Sequence, residues 1–228
     1  MTATSRWSQA RPTRRELLVW SAGSATLAAG ALVLGVLTKP GQIADAELAS
    51  LIHETIPADG RRLLNDLARP LLPYLLAPLA ALLFLRGLVR RQWRRCLGTA
   101  AALPAIPLSI WLRDEMVPRP QLGVPGYDWN TFPSTHATVG FVVLTAVVLL
   151  WPWRPGRLGA GLAAAVGLVI AVGNVAWYAH RPVDVLGSLG IVIAPVFLTL
   201  GLTLGVTLGV VARPTRGSRV ENVTNDVT

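Results

Sequence analysis

The stretch VLGSLGIVIAPVFLTLGLTLGVTLGVV, from Val185 to Val211, contains no charged side chain. It is longer than the ~20 residues that a helix needs to cross the hydrocarbon core of a bilayer. Lipid offers no hydrogen-bond partner to an open strand, so a helix is the expected structure. The whole chain is 52% hydrophobic and only 14% charged. The sequence therefore predicts an integral membrane protein rather than the one or two soluble domains that 228 residues would otherwise indicate.

Five further apolar segments precede this one, and the third and fourth of the six are the shortest. The approximate bounds of all six are Leu17–Leu37, Leu71–Val89, Cys96–Leu112, His136–Trp151, Leu158–Tyr178 and Val185–Val211. Each is near spanning length for a helix. The sequence predicts an all-α fold with six transmembrane helices.

The arginines predict how these helices are oriented. They concentrate in the N-terminal tail, in the second-to-third and fourth-to-fifth connections and in the C-terminal tail, and these four segments lie on one side of a six-span protein. By the positive-inside rule that side is the cytoplasm, so both termini are expected there. Nine of the twelve acidic residues fall in the opposite loops. The net charge of +9 is thus explained by membrane topology, which leaves no support for nucleic-acid binding.

This topology predicts that the whole chain, residues 1–228, forms a single domain in the cell membrane. Residues 1–16 and 212–228 are predicted cytoplasmic tails, the second one flexible. Residues 38–70 form an outer loop whose apolar spacing is typical of an interfacial helix. The polar motifs fall in a core of residues 113–187. Arg14 and Arg15 before the first apolar segment also fit a cleaved twin-arginine signal, but that segment is longer than the ~7–15 residues of a signal's hydrophobic region, which favours an uncleaved span.

Three polar clusters stand at the predicted outer ends of the spans. They are Trp111–Pro120, Pro133–His136 and Asn174–Asp184. The topology places all three on the extracytoplasmic face, and ionisable residues at such positions are functional candidates.

The residue types in these clusters indicate phosphate chemistry. Ser134 and Thr135 stand at a helix start, where unpaired N–H groups attract anions. Arg119, with Arg113 or Arg181, could clamp phosphate oxygens through forked hydrogen bonds. These five residues are the candidate phosphate-binding groups.

A histidine and a carboxylate four residues apart share one helix face. Asp184 would orient the ring of His180, leaving its other nitrogen free to attack phosphorus. His136 would then protonate the leaving alkoxide. A lone His-x3-Asp pair is also compatible with a surface pair or metal ligands, Pro133–His136 with a plain helix cap, and the arginines with snorkelling to headgroups.

Taken together, Arg119-Pro120, Pro133–His136 and His180-x3-Asp184 resemble the three signature motifs of the type-2 phosphatidic acid phosphatase superfamily. Their order, their spacing and the six-span layout are similar to the membrane branch of that family. The resemblance implies that His180 is a nucleophile forming a phosphohistidine, that Asp184 orients it and that His136 is the general acid. It also implies that Arg119, Ser134 and the backbone around Thr135 bind phosphate.

Three positions depart from the family pattern. Leu112 stands where the first motif has lysine, and Asn174 stands where the third motif has arginine. Thr135 replaces a usual glycine, as in the sphingosine-phosphate phosphatase variant. Two of the three expected phosphate-binding cations are therefore absent from their motif positions.

The resulting hypothesis is a membrane phosphatase that cleaves a lipid phosphomonoester or diphosphate at the outer leaflet. The resemblance implies substrates of the undecaprenyl diphosphate, phosphatidic acid or phosphatidylglycerol phosphate type. No metal and no cofactor is expected, and the single cysteine, Cys96, excludes an internal disulfide. The alternatives are a catalytically weak relative that binds or moves phospholipids, motivated by Leu112 and Asn174, and a small membrane transporter.

Overall fold

The computed structural model of the protein describes residues 12–117, 119–125, 129–153 and 156–211, with the side chains of 205–211 left out. The regular secondary structure in these ranges is entirely helical, and the described residues form no strand. The all-α prediction is confirmed. Residues 1–11 of the first predicted tail and the whole second tail, residues 212–228, lie outside the described residues.

The described part of the chain contains nine α-helices, and three of them run into short π-helical turns. The helices are α1 (Arg14–Gly30), α2 (Lys39–Thr55), α3 (Ala58–Asp66), α4 (Leu72–Val89), α5 (Trp93–Ala102), α6 (Ala105–Trp111), α7 (Thr135–Leu150), α8 (Arg157–Ala176) and α9 (Pro182–Val211). The π-helical turns are Ala31–Val36 after α1, Leu67–Leu71 between α3 and α4, and Leu112–Met116 after α6.

Among the residues that the structure describes, five helical stretches are long and apolar enough to cross a membrane. They are Arg14–Val36, Ala58–Val89, Trp93–Met116, Arg157–Ala176 and Pro182–Leu204. The fourth predicted span corresponds to α7, an apolar helix that is shorter than these five. The structure therefore supports a membrane protein with several spanning helices, while the six-span count and the cytoplasmic termini stay predictions.

The segment predicted as an outer loop, residues 38–70, is itself almost entirely helical. Thr38 caps α2 by accepting a hydrogen bond from the backbone N–H of Gly41 at 3.2 Å. After α2, α3 continues through the Leu67–Leu71 turn into α4, so the second spanning stretch begins at Ala58 rather than Leu71. Pro70 lies in that turn and lacks an N–H, which a π-helical turn accommodates at the cost of local irregularity.

The core lies where α7, α8 and α9 meet. Its largest cluster of buried side chains includes Phe141 of α7, Ile170 of α8 and Val192 of α9. Helix α1 packs along α9, and the Ser21 hydroxyl donates to the Ala194 carbonyl at 2.8 Å. The outer surfaces carry large apolar side chains such as Leu158, which is 88% exposed. An apolar exterior of this kind fits contact with lipid.

Helix α8 and the helix before the Leu67–Leu71 turn approach each other at Gly173. A Cβ atom built there would collide with the Leu64 carbonyl oxygen and lie 2.5 Å from the Ala68 Cβ. Backbone cannot yield as a flexible side chain can, so only glycine permits this approach. The contact matters for the site, because Asn174 and Arg69 are the next residues along the two segments.

We expect Gly173→Ala to lower the free energy of unfolding by about 1–3 kcal/mol, the usual cost of overpacking. Gly161 lies in the same helix, and a Cβ there meets nothing within 4 Å. Gly161→Ala should therefore be neutral or stabilise by about 0.5–1 kcal/mol through helix propensity. Thermal unfolding of the purified variants in detergent measures the difference. Equal melting temperatures for the two variants would contradict the close approach.

Candidate active site

Asp184 is the centre at which three distant segments meet. Its side chain is fully buried, and its Oδ1 accepts from Arg119 Nη2 at 2.5 Å. The Oδ2 atom accepts from the Thr131 hydroxyl at 2.6 Å and from the Arg181 backbone N–H at 2.8 Å. A buried carboxylate is stable only with such partners, since its desolvation is otherwise costly. Asp184 therefore ties the segment before α7 and the Arg119 segment to the start of α9.

His180 is held against the same carboxylate and is 7% exposed. Its Nδ1 lies 3.3 Å from the Thr131 carbonyl oxygen and 3.7 Å from Asp184 Oδ2. A carbonyl can only accept, so Nδ1 is the protonated nitrogen and Nε2 keeps its lone pair. The predicted orientation by Asp184 is thus shared with Thr131, whose hydroxyl binds Asp184 while its carbonyl binds His180.

Sequence reasoning missed Thr131. It lies three residues before Ser134 and belongs to none of the three polar clusters, so its only sequence signal is proximity to the second motif. Asn130 fixes the same loop, because its amide group donates to the Arg113 carbonyl at 2.8 Å and its Oδ1 accepts from the Phe132 N–H at 3.0 Å.

The start of α7 has the form expected of an anion site. Ser134 is the N-cap, fully buried, and its hydroxyl accepts from the Ala137 N–H at 3.2 Å. Its own N–H donates to the Asp184 carbonyl at 3.2 Å, and its carbonyl accepts from the Ser188 hydroxyl at 2.9 Å. Among the described residues, no group accepts from the backbone N–H of Thr135 or His136. Two donors at the positive end of the helix are therefore available to a ligand.

His136 stands in the first turn of α7 beside a cation that the sequence did not single out. Its Nδ1 lies 3.0 Å from Arg69 Nη2. Arg113 is a second cation that acts electrostatically on His136. Arg69 belongs to the Leu67–Leu71 turn, which sequence analysis assigned to the outer loop. Nothing in its sequence neighbourhood marked it, because its contact with His136 depends on how that turn packs against α7 and α8.

The remaining predicted phosphate-binding arginines take different positions. Arg113 bonds its neighbour Asp114 at 2.7 Å and reaches the Thr135 hydroxyl at 3.4 Å. Arg181 places Nη2 3.3 Å from the Pro125 carbonyl oxygen. Arg119 is committed to Asp184, with 1% of its side chain exposed. The phosphate-binding roles of these three residues stay predictions.

Leu112 and Asn174, the two residues that replace motif cations, lie in uncharged surroundings. Leu112 packs with Val36, Val117 and Phe132 in an apolar cluster. Asn174 is fully buried, and its amide group donates to the Ile170 carbonyl of its own helix at 2.8 Å. Neither residue supplies a cation to the site.

The turn that carries His180 is braced from α2 and α3. The ring of His53 stacks on that of Tyr178 with centroids 3.7 Å apart, and its Nε2 meets the Val175 carbonyl at 3.0 Å. Arg61 lies over the Tyr178 ring and donates to its hydroxyl at 3.2 Å. Tyr178 has a positive φ of 61°, an uncommon conformation for this residue that its neighbours stabilise. Asp45 of α2 accepts from the Val183 N–H at 2.9 Å, which fixes the start of α9.

This arrangement provides an imidazole with a free lone pair, a second imidazole and a cluster of anion-binding donors. Within the described part of the chain, no group of three or more His, Cys, Asp or Glu side chains could hold a metal ion. A nucleophile, a proton donor and electrostatic stabilisation are the components of phosphoryl transfer through a covalent intermediate.

Comparison with known proteins gives one match. Residues 104–205 match the model of the PAP2 superfamily, and the matched segment contains the whole predicted core of residues 113–187. The family resemblance inferred from the three motifs is confirmed. No curated protein and no solved structure shows significant similarity to the chain.

We expect Arg119→Met to destabilise the protein by about 3–5 kcal/mol, because it leaves the Asp184 carboxylate buried without its cation. Adding Asp184→Asn should recover part of that loss by removing the charge. Arg113→Met is the matched control, since the Arg113–Asp114 pair is 32% and 46% exposed and such pairs contribute about 0–1 kcal/mol. Thermal unfolding in detergent measures all three. An Arg119→Met protein that unfolds at the parent temperature would show that this pair does not organise the site.

Proposed function

Because residues 104–205 belong to the PAP2 superfamily, we propose that this chain is an integral membrane phosphatase acting on a lipid phosphomonoester or diphosphate. The observation that carries the proposal is the state of His180. Its Nδ1 is bonded to the Thr131 carbonyl, so Nε2 presents a lone pair beside the start of α7.

In the proposed first step, His180 Nε2 attacks phosphorus and forms a P–N bond as the bond to the leaving oxygen breaks. The phosphoryl oxygens are held by the N–H groups of Thr135 and His136 and by the predicted phosphate-binding arginines. Their negative charge is spread during transfer. The leaving oxygen takes a proton from the imidazolium of His136. The positive charge that develops on His180 is stabilised by Asp184, 3.7 Å from its Nδ1.

In the second step, water attacks the phosphohistidine and neutral His136 takes the proton that the water loses. The P–N bond breaks, His180 regains its lone pair and inorganic phosphate leaves. The cycle is balanced and returns both histidines to their starting states.

The surroundings of the site support a lipid substrate. His136 and His180 lie at the ends of apolar helices, and the helices α4 and α8 carry exposed leucines such as Leu82 and Leu158 on their outer surfaces. A substrate whose acyl or isoprenoid chain lies in the bilayer would bring its phosphate to that depth. The undecaprenyl diphosphate, phosphatidic acid and phosphatidylglycerol phosphate types are the candidates to compare.

The histidine assignments predict different losses for different leaving groups. His180→Ala should lower kcat/KM by about 10³-fold or more for every substrate, because the nucleophile is removed. His136→Ala should cost about 10²–10⁴-fold with an alkyl phosphate but little with an aryl phosphate, whose leaving group needs no proton.

Phosphate release from the three lipid types and from p-nitrophenyl phosphate measures these losses. Arg62→Gln, on the exposed face of α3, is the control that should match the parent. A parent enzyme that releases no phosphate from any of them would favour the alternative of a weak relative that binds phospholipids. Turnover retained in His180→Ala would rule out the phosphohistidine.

The proposed orientation places the site on the extracytoplasmic face, with both termini and the α7–α8 connection inside. A cysteine at Gln121, an exposed residue near Arg119, should react with an impermeant thiol reagent in intact cells. A cysteine at Trp153, which is 69% exposed between α7 and α8, should react only after permeabilisation. The parent is the blank, since Cys96 is buried. The opposite labelling pattern would invert the topology.

A further inference from the structure

Two cations of the family pattern are absent, and the residues in their places cannot replace them. Leu112 belongs to an apolar cluster, and the amide group of Asn174 is bonded within α8. Arg119 is already paired with the buried Asp184. A phosphoryl group in transfer carries charge that needs positioned donors. Arg113 reaches the Thr135 hydroxyl, and a further cation from outside the three motifs would supply charge that positions 112 and 174 do not.

Arg69 is placed to be that cation. The Leu67–Leu71 turn lies against α8 at Gly173, where no Cβ fits, and Arg69 is adjacent to the contacting Ala68 while Asn174 is adjacent to Gly173. The guanidinium of Arg69 reaches His136 Nδ1 at 3.0 Å. We propose that Arg69 binds the substrate phosphate, supplying from a neighbouring helix the charge that the third motif lacks at Asn174. This inference rests on the proposed phosphatase function.

The guanidinium of Arg69 has hydrogen-bond donors that could bind an anion. Its Nε is buried and has no hydrogen-bond partner, and no carboxylate pairs with it among the described residues. Arginine stays protonated, so a cation faces His136 without a counter-ion. An arginine can make two parallel charge-assisted bonds to phosphate, roughly twice as strong as neutral ones. A bound phosphate would satisfy donors that the protein alone leaves unsatisfied.

The proton chemistry of His136 also requires Arg69 to change partners. Arginine only donates, so the 3.0 Å contact makes Nδ1 an acceptor and places the single ring proton on Nε2. A histidine that protonates a leaving group needs an imidazolium, with protons on both nitrogens. Nδ1 cannot gain its proton while Arg69 donates to it. Transfer of the guanidinium to the incoming phosphate frees Nδ1, and this couples substrate binding to the charging of the acid.

Arg181 is the competing candidate from the sequence. Its guanidinium contacts the Pro125 carbonyl at 3.3 Å, in the loop after Arg119, whereas Arg69 contacts a reacting imidazole. The structure thus favours Arg69 as the replacement for a third-motif arginine.

The test compares Arg69→Gln with the matched control Arg62→Gln, an exposed arginine of the adjacent helix α3. We expect Arg69→Gln to lower kcat/KM by about 10²–10³-fold, the cost of one transition-state donor. The loss should be similar for an alkyl lipid phosphate and for p-nitrophenyl phosphate, because both present the same phosphoryl group. Arg62→Gln should match the parent. Moving the charge back, in the double variant Arg69→Gln/Asn174→Arg, should recover at least tenfold.

Each other result overturns the proposal. A loss confined to the alkyl substrate would make Arg69 a positioning residue for His136, and equal activity of the two glutamine variants would leave it no role. If the double variant does not fold, Arg69→Lys decides instead: retained charge should preserve more activity than Arg69→Gln, and equal loss would count against charge.

A second measurement separates this inference from the proposed function. Inorganic phosphate should raise the melting temperature of the parent and of Arg62→Gln but not of Arg69→Gln. This comparison needs no turnover, so it decides the role of Arg69 even if the parent hydrolyses none of the lipids. Stabilisation retained in Arg69→Gln would refute anion binding by this residue.

Discussion

The buried carboxylate of Asp184 is the constraint on which the rest of the site depends. A charge removed from water must be matched by donors, and here they come from Arg119, Thr131 and the Arg181 backbone. Arg119 and Thr131 lie 65 and 53 residues before Asp184 in the chain, so satisfying one carboxylate assembles the site. The position of His180 follows, because Thr131 binds Asp184 through its hydroxyl and His180 through its carbonyl.

The helices around Asp184 hold the short irregular segments of the site in fixed positions. Helix α2 contributes Asp45 to the start of α9 and His53 to the turn before it, so a segment outside the family match stabilises the matched one. Glycine at 173 lets the Leu67–Leu71 turn approach α8 closely. Rigid helix ends of this kind position polar groups more precisely than loops would.

The electrostatics of the site divide into two regions. Around Asp184, charges are paired and buried, which serves structure. The guanidinium of Arg69 lies beside His136, and Arg113 reaches the neighbouring Thr135 hydroxyl. Together with the first N–H groups of α7, these cations make the electrostatic potential around His136 positive. An excess of donors beside two imidazoles suits a multiply charged anion.

The sequence by itself determined the all-α membrane class and the resemblance to the PAP2 superfamily, and it predicted that His180 and Asp184 act as a pair. These follow from local information: apolar runs of spanning length, and motif residues at short fixed spacings such as His180 and Asp184. The start of the second spanning stretch at Ala58 and the packing of α2 were not predictable. Residues 38–70 mix polar and apolar side chains, and this composition fits an interfacial helix as well as a helix packed against the core. Only the tertiary structure decided that Thr131 shares the orientation of His180, that Arg119 is buried against Asp184 and that Arg69 reaches His136. Such contacts join residues up to 67 positions apart, and their existence depends on how closely two helices pack. Here the helices pack closely because residue 173 has no side chain, and the loops meet because the buried carboxylate of Asp184 needs hydrogen-bond donors.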